Sequence, residues 1–533
     1  MTSPSRRGFL GAALAAPAIL GGCAKPDDWR TRVDGRWIGD NAVLGHRVRD
    51  AAAHPPAGAR ARRCDVLVVG SGIAGLSAAR ALQRAGIGDF AVLELEDAPG
   101  GNSRGHAMHG LRCPLGAHYL PLPGPAASDI QAWLVEIGLA KPTAGGLKWD
   151  ERQLCHSPQE RLYFNGRWQD GLLPNVPRDS TTQVQYRLLA KAIADAGRIG
   201  FALPTARAPW TPAHAALDAL TAAQWLHDQG ITDPLVLAYL DYCCRDDYGA
   251  GIATVSAWAL VHYFASRHGF SAPGDDSNDR DPVLTWPDGN APLMQALRRP
   301  FADRVLTGRA VFRIDEGLQD ITAWAFAGDE VERWSARHVI VATPLFIATH
   351  VLSAPPAALV AAAKLQRRAP WMVANLRLDE LPLDRVGAPL SWDNVIHGSP
   401  SLGYVDAQHQ SLARVVGERL LTAYWAFSDT DRARLLAMSW QDATQLILDD
   451  LRVVHPDLAQ RLVQVDIVRH GHAMAIPTPG VRSSAALAAV PDSATRLSFA
   501  HADLSAYSVF EEAFTRGDTA GRRAARALGL AAA

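Results

Sequence analysis

The chain has 533 residues, 53 Lys plus Arg against 54 Asp plus Glu, and a formal net charge of −1, so it exceeds what one core needs and gives no reason to expect a nucleic-acid partner. Two intertwined domains are expected. The six cysteines are scattered and none forms a C-x-x-C pair, which argues against a disulfide framework and against a structural zinc site.

Ser5-Arg6-Arg7-Gly8-Phe9-Leu10 is a twin-arginine signal. The apolar run behind it, to Leu20, is shorter than the roughly 20 residues a membrane span needs. The run ends Leu20-Gly21-Gly22-Cys23, which resembles the lipobox of bacterial lipoproteins. That resemblance implies a lipidated Cys23 at the mature N-terminus. Ordinary cleavage after Ala16-Pro17-Ala18 is the alternative. Residues 1–23 are thus expected to be a signal peptide and 24–63 a tether packed on the body. The expected location is the periplasm or cell envelope, with the twin-arginine translocase as export partner and a membrane contact through the lipid. No apolar run after the leader is long enough for a transmembrane helix.

The next stretch carries the chemistry. Asp65 to Val69 is a short apolar run suited to a buried parallel strand. Gly70, Gly72 and Gly75 then form G-x-G-x-x-G, with Ile73 and Ala74 opening a helix. The first glycine allows the tight turn, the second lets a pyrophosphate reach the backbone, and the third lets helix and strand pack closely. Glu94 closes the following strand, at the spacing that serves a ribose hydroxyl. Strand, glycine turn, helix and closing acid together specify a dinucleotide site.

Further along, Tyr239-Leu-Asp-Tyr-Cys-Cys-Arg-Asp-Asp-Tyr248 gathers Asp241, Asp246 and Asp247 among tyrosines. This is either an acidic helix surface or a site for an ammonium group. Cys243-Cys244 within it is either a strained redox pair or two buried thiols. Leu284 to Met294 precedes a helix, and Arg304 to Ile314, with Val311, reads as a strand. His338-Val-Ile-Val-Ala342-Thr343-Pro344 is another buried strand running into a turn. Trp392-Asp-Asn-Val with Ser399-Pro-Ser-Leu-Gly-Tyr404 is an odd polar-aromatic loop, a candidate pocket lining that physics alone does not place. Leu497 to Ala500 is a strand, and Ser508-Val509-Phe-Glu-Glu opens the last helix. Nucleotide-fold pieces that recur so far apart point to FAD more than to a nicotinamide cofactor.

From about residue 64 to 530 this order resembles the flavin-containing amine oxidase and phytoene desaturase-like superfamily. The implied fold class is α/β: a Rossmann-type FAD-binding domain built from discontinuous segments (64–130, 285–345 and 465–530), with an interleaved α+β substrate domain (131–284 and 346–464). The resemblance assigns Gly101 and Arg104 to the pyrophosphate, although Asn102-Ser103 is inserted before the arginine. It assigns Gly116-Ala117-His118-Tyr119 to the isoalloxazine, Val311 to the adenine, and Ala342 and Val509 to the cofactor's surroundings. Asp503 stands near the position of an acid that binds the ribityl or phosphate groups, one place late. His118, His472 and Tyr507 are expected to converge on the reaction centre. His472 reads equally as a pocket residue or as packing. Tyr424, Trp425 and Tyr507 are candidate flavin-facing aromatics, and Trp425 is also a candidate substrate contact.

Two departures bear on the chemistry. No cysteine stands near Tyr507, so the FAD is expected to be non-covalent. The strand Pro370 to Leu376 lacks the lysine that many amine oxidases place near the flavin, which weakens the case for fast electron transfer to oxygen. The expected activity is hydride removal from a small organic substrate, most readily a polyamine-like amine, with oxygen or a quinone as acceptor. A desaturase-like enzyme acting on a lipid or isoprenoid, and an electron-carrier flavoprotein without a small substrate, are the alternatives.

Overall fold

The structure, a computed structural model, describes residues 28–39, 41–51, 58–274, 282–411, 416–492 and 494–530. The twin-arginine signal and Cys23 lie outside the described residues. No helix among the described residues is long and apolar enough to cross a membrane.

Two large sheets organise the chain. The first has the order Val305–Leu306, Phe90–Leu93, Arg60–Val69, Glu330–Val341, Ile321–Ala327, Arg309–Glu316, and Leu497–Phe499 also pairs with Glu330–Val341. The strands around Arg60–Val69 run parallel. Val66, Leu67 and Val68 at its centre have no exposed surface. Covered on both faces, the strand reads as a continuous apolar run and not as an alternating one. Helix Ile73–Arg84 lies against the last helix, Phe510–Ala527. A Cβ on Gly517 would come within 2.0 Å of the Ala74 carbonyl oxygen, so only glycine permits this approach.

The second sheet has eight strands, in the order Asp34–Trp37, Leu462–Ile476, Arg367–Leu378, Arg419–Ala426, Tyr404–Asp406, Asp393–Ile396, Glu160–Phe164, Arg167–Asp170. Period-two alternation divides its two cores. Ala369, Trp371 and Val373 face the helical side, where Pro234–Tyr248 and Ala257–Ala265 pack. Met372, Ala374 and Leu376 face the other, under helix Trp440–Leu451.

Sheet membership adjusts the expected boundaries. Strand Leu462–Ile476 belongs to the second sheet, so the third nucleotide segment starts after it and not at residue 465. The stretch 24–63 is more than a tether: Asp34–Trp37 is an edge strand of the second sheet, and the first nucleotide strand already begins at Arg60. The five cysteines from Cys64 on are free thiols, and burial pushes Cys243 up to about 12, leaving little thiolate for redox chemistry.

Candidate active site

The nucleotide cradle forms where Arg60–Val69 turns into Ile73–Arg84. Gly70 has φ +100°, and a Cβ there would sit 2.7 Å from the Ala342 carbonyl oxygen. A Cβ on Gly75 would sit 1.9 Å from the Gly70 oxygen. Gly72, in contrast, opens onto free space and caps the helix without a side-chain bond. The N–H groups of the first turn are therefore available to an anion. Glu94 is fixed at the end of its strand by the N–H and Oγ of Ser71, at 2.8 and 2.5 Å, and by the Glu96 N–H at 3.0 Å. A Cβ on Gly101 would lie 3.3 Å from the Gly72 Cα, so the second glycine loop roofs the first. Arg104 beside it donates to the Gly101 carbonyl at 3.2 Å. Val311 sits at a register shift in its strand, where the ladder is interrupted. Ala342 is buried at the crossing of the central strands, donating to the Val69 carbonyl.

The turn Gly116-Ala117-His118-Tyr119 is held from both sides. The Ala117 N–H donates to Asn102 O at 2.8 Å, and Asn290 donates through its backbone N–H to Ala117 O and through Nδ2 to Tyr119 O. Three buried polar atoms along this path have no protein partner: Thr343 Oγ1, Asp288 Oδ1 and Asn290 Oδ1. Open space at Gly72, uncapped helix N–H groups and unpaired polar atoms near the cradle and the turn fit a long polar ligand such as FAD.

The turn feeds a chamber of aromatic rings and carboxylates. The His118 ring lies 4.5 Å from Tyr424 and 5.4 Å from Trp392 in tilted contacts, and 4.9 Å from Tyr119 edge-on, measured between ring centroids. The Tyr119 hydroxyl reaches Asp246 at 3.5 Å, and the Tyr242 hydroxyl reaches Asp393 at 3.5 Å. Tyr242 and Asp246 are four apart on helix Pro234–Tyr248 and share its face towards the chamber. Burial, with Asp247 next, pushes Asp246 up to about 7. Asp393 is raised well above the usual carboxylate range by burial and by the nearby charges of Asp246 and Glu160. Burial also holds His118 neutral, its pKa pushed down to about 3. Tyr119, Tyr242, Asp246 and Asp393 nonetheless keep some accessible surface, as groups lining an internal void do. Behind Tyr242 a cavity of about 350 Å³ opens, lined by Leu162, Leu235, Val395 and Ile396.

The other two residues expected to face the isoalloxazine, Tyr507 and His472, do not touch His118 directly. Tyr507 is buried in a polar knot, its hydroxyl 3.2 Å from Glu512 and 3.4 Å from His262. Burial and Glu512 raise its pKa well above 10, so it is a neutral phenol. Val509 caps the last helix beside it. His472 sits against Phe346 with ring centroids 4.8 Å apart and planes tilted by 51°, and its side chain is exposed. Among the described residues no hydrogen bond or ring contact joins His118, His472 and Tyr507.

Four assignments are corrected. The Asp241 carboxylate pairs with Arg245 at 3.1 Å and accepts the Ile252 N–H at 3.1 Å. Asp247 pairs with Arg267 at 3.2 Å. Both acids are thus paired with an arginine, although Asp247 stays close enough to Asp246 to raise it and Asp241 lines the cavity behind Tyr242. Trp425 lies on the far side of the sheet from Tyr424, in the core with Met372 and Leu376, since neighbouring strand residues face opposite ways. Asp503 is engaged inside the protein: Arg368 donates to both of its oxygens and the Leu345 N–H to one, while His501 Nδ1 accepts the Asp503 N–H beside the carboxylate. Burial opposes its charge, yet His501 and Arg368 keep it well below the usual carboxylate range. It is the anchor of a buried ion pair.

Sequence reasoning offered the Trp392 loop as a pocket lining but did not single out Asp393. Its signal was the run Trp392-Asp-Asn-Val, whose place depends on pairing with Glu160–Phe164, far away in the chain. It also missed Trp371, whose indole N–H is buried without a partner on the chamber side of the lysine-free strand.

Comparison with known proteins agrees with this geometry. The chain is 25% identical over 296 residues to an L-amino acid dehydrogenase of Synechocystis sp., covering 55% of this chain and 58% of that protein. It spans about half the length of the curated relatives it matches. A double mutant of putrescine oxidase superposes with a TM-score of 0.66 at 19% identity, over 88% of this chain and 100% of that one. Cyclohexylamine oxidase from Brevibacterium oxydans superposes with a TM-score of 0.63 at 19% identity, over 87% and 99%. These two likenesses establish the fold. Residues 73–528 match the family model of flavin-containing amine oxidoreductases, and the chain therefore belongs to that family of FAD-dependent oxidoreductases, with FAD as its cofactor.

Proposed function

We propose that this protein oxidises an amine that carries a second, cationic nitrogen, such as a short diamine or polyamine. The observation that carries the reading is that Asp246 and Asp393 each meet a tyrosine of one aromatic cluster, Tyr119 beside Trp392 and Tyr242. Carboxylates beside aromatic faces recognise an ammonium by charge and by cation–π attraction. The nearby arginines, Arg245 and Arg267, are each neutralised by an aspartate, which disfavours a substrate carboxylate here. The acids also disfavour a purely apolar lipid.

Gly70 to Gly75, Glu94 and the Gly116–Tyr119 turn would hold FAD, which when bound accepts a hydride from a C–H bond beside nitrogen. The chain's own residues orient the amine. Asp246 and Asp393 take the distal ammonium. The rings of His118, Tyr424 and Trp392 exclude water. Neutral His118 adds no positive charge that would repel the amine. The electron acceptor is oxygen or a quinone. We also read the leader as a twin-arginine signal with lipidation at Cys23, a reading under which the enzyme is exported to the periplasm or cell envelope and held to a membrane by its lipid.

Anaerobic mixing of the holoprotein with putrescine, cyclohexylamine, an L-amino acid and an isoprenoid, followed at the flavin absorbance bands, tests the substrate class. The diamine should bleach the flavin at lower concentration than the monoamine. Bleaching by the isoprenoid alone would remove the amine reading.

A further inference from the structure

The stretch Asp28 to Ala51 precedes the residues shared with the family and clasps both sheets. At one end Trp29 is buried edge-on against Trp440 at 5.8 Å, and Arg32 donates to the carbonyls of Leu462 and Ala459 at 2.5 and 2.7 Å. Asp34–Trp37 then adds a parallel strand along Gln464–Ile467. At the other end helix Ala42–Asp50 packs on the nucleotide sheet. Val48 is buried there, Arg47 lies 3.8 Å over the Phe326 ring, and the Arg49 carbonyl bonds His350 at 2.9 Å.

The crossing between these anchors falls on the cofactor cradle. The Gly39 carbonyl accepts a hydrogen bond from Arg104 Nη2. The Asn41 N–H donates to Glu96 Oε1 at 3.0 Å, and Glu96 in turn stands 3.6 Å from Arg104. Arg104 is bonded to the Gly101 loop that roofs Gly72, and Glu96 is bonded to Glu94. Gly39 has φ +82°, and a Cβ there would press on Val468 at 3.0 Å, so the crossing needs glycine.

We propose that this segment is part of the FAD site: a strap that fixes Arg104 beside the pyrophosphate cradle and slows release of the cofactor. A side chain held in place before binding loses less entropy when it meets a phosphate, and a strap pinned at both ends must loosen before the ligand leaves. The inference rests on FAD as cofactor and is independent of the substrate.

FAD release after dilution of the holoprotein, followed by recovery of flavin fluorescence, is the test. Gly39→Val should raise the release rate at least about tenfold. Val48→Ala, which trims only the distal anchor, should raise it by a smaller factor and serves if Gly39→Val does not fold. Leu226→Ala opens a cavity in the helical core on the other face of the second sheet, which holds neither Trp29 nor Val48, and controls for stability: it should lower the unfolding temperature without speeding release. Release unchanged within about twofold in the folded strap variants, or raised equally by Leu226→Ala, overturns the proposal.

Discussion

Asp246 and Asp393, one on a helix and the other on a strand distant in sequence, lie near enough that the charge of Asp246 adds to burial in raising Asp393 above the usual carboxylate range. Each is also touched by a tyrosine hydroxyl at 3.5 Å. Two acids that cannot both ionise cheaply are stabilised in their charged forms by an incoming cation.

Replacing Asp246 by Asn, or Asp393 by Asn, should therefore weaken diamine binding. A charged hydrogen bond contributes about 1.5–3 kcal/mol, so KM should rise roughly 10- to 100-fold with kcat changed far less. FAD content should stay at one per chain. Steady-state kinetics with putrescine, beside cyclohexylamine as the singly charged control, reads the difference. An unchanged KM takes the ammonium away from this chamber.

The raised acid gives a pH dependence of definite sign. Asp246 titrates at about 7, above the ordinary carboxylate value. Amine affinity should climb as pH rises through 7, because the carboxylate form binds the cation. The substrate-free protein should change the other way. Its folded state holds a proton that the unfolded chain releases, so this group's contribution to stability is full below the unfolded pKa and is lost as pH rises through the folded one. Amine affinity by flavin titration and unfolding temperature, both across pH 5–9, should run in opposite directions.

Gly72→Glu should abolish FAD loading, because a side chain and a negative charge would occupy the open space that faces the helix N-terminus. Acid precipitation of the wild type should release the yellow chromophore into the supernatant. Flavin that stays with the pellet would show a covalent bond.

Asp503→Asn should act on stability. Breaking a buried ion pair from one side costs about 3–5 kcal/mol, and Arg368 would be left buried with a weakened partner. The denaturation midpoint should fall markedly. Removing Arg368 as well, in Arg368→Met with Asp503→Asn, should recover part of the loss. A free-flavin affinity that collapses while the midpoint holds would return Asp503 to the cofactor site.

Arg6→Lys with Arg7→Lys should leave precursor in the cytoplasm, and Cys23→Ala should abolish lipid labelling and release the protein from membranes. Fractionation that finds Cys23→Ala still membrane-bound rejects the lipid anchor.

The stretch from Asp65 to Glu94 determined its own meaning. Strand, three glycines, helix and closing acid are local features: Gly70 has a positive φ, and Gly75 is demanded by the Gly70 oxygen five residues before it. The dinucleotide fold and FAD were legible for that reason. The chamber was not, because side-chain direction is set by pairing between distant segments. Asp246 was singled out together with Asp241 and Asp247, but only helix phase against the second sheet decides which of the three faces inward. Strand register alone separates Tyr424, in the chamber, from Trp425, behind it. Asp393 joined the site through a parallel pairing with Glu160 that no local pattern announces. Asp503 left it because Arg368 reaches the buried carboxylate first. A helix advances about 100° per residue and a strand about 180°, so a motif fixes which residue types are present, and only packing fixes which of them meet.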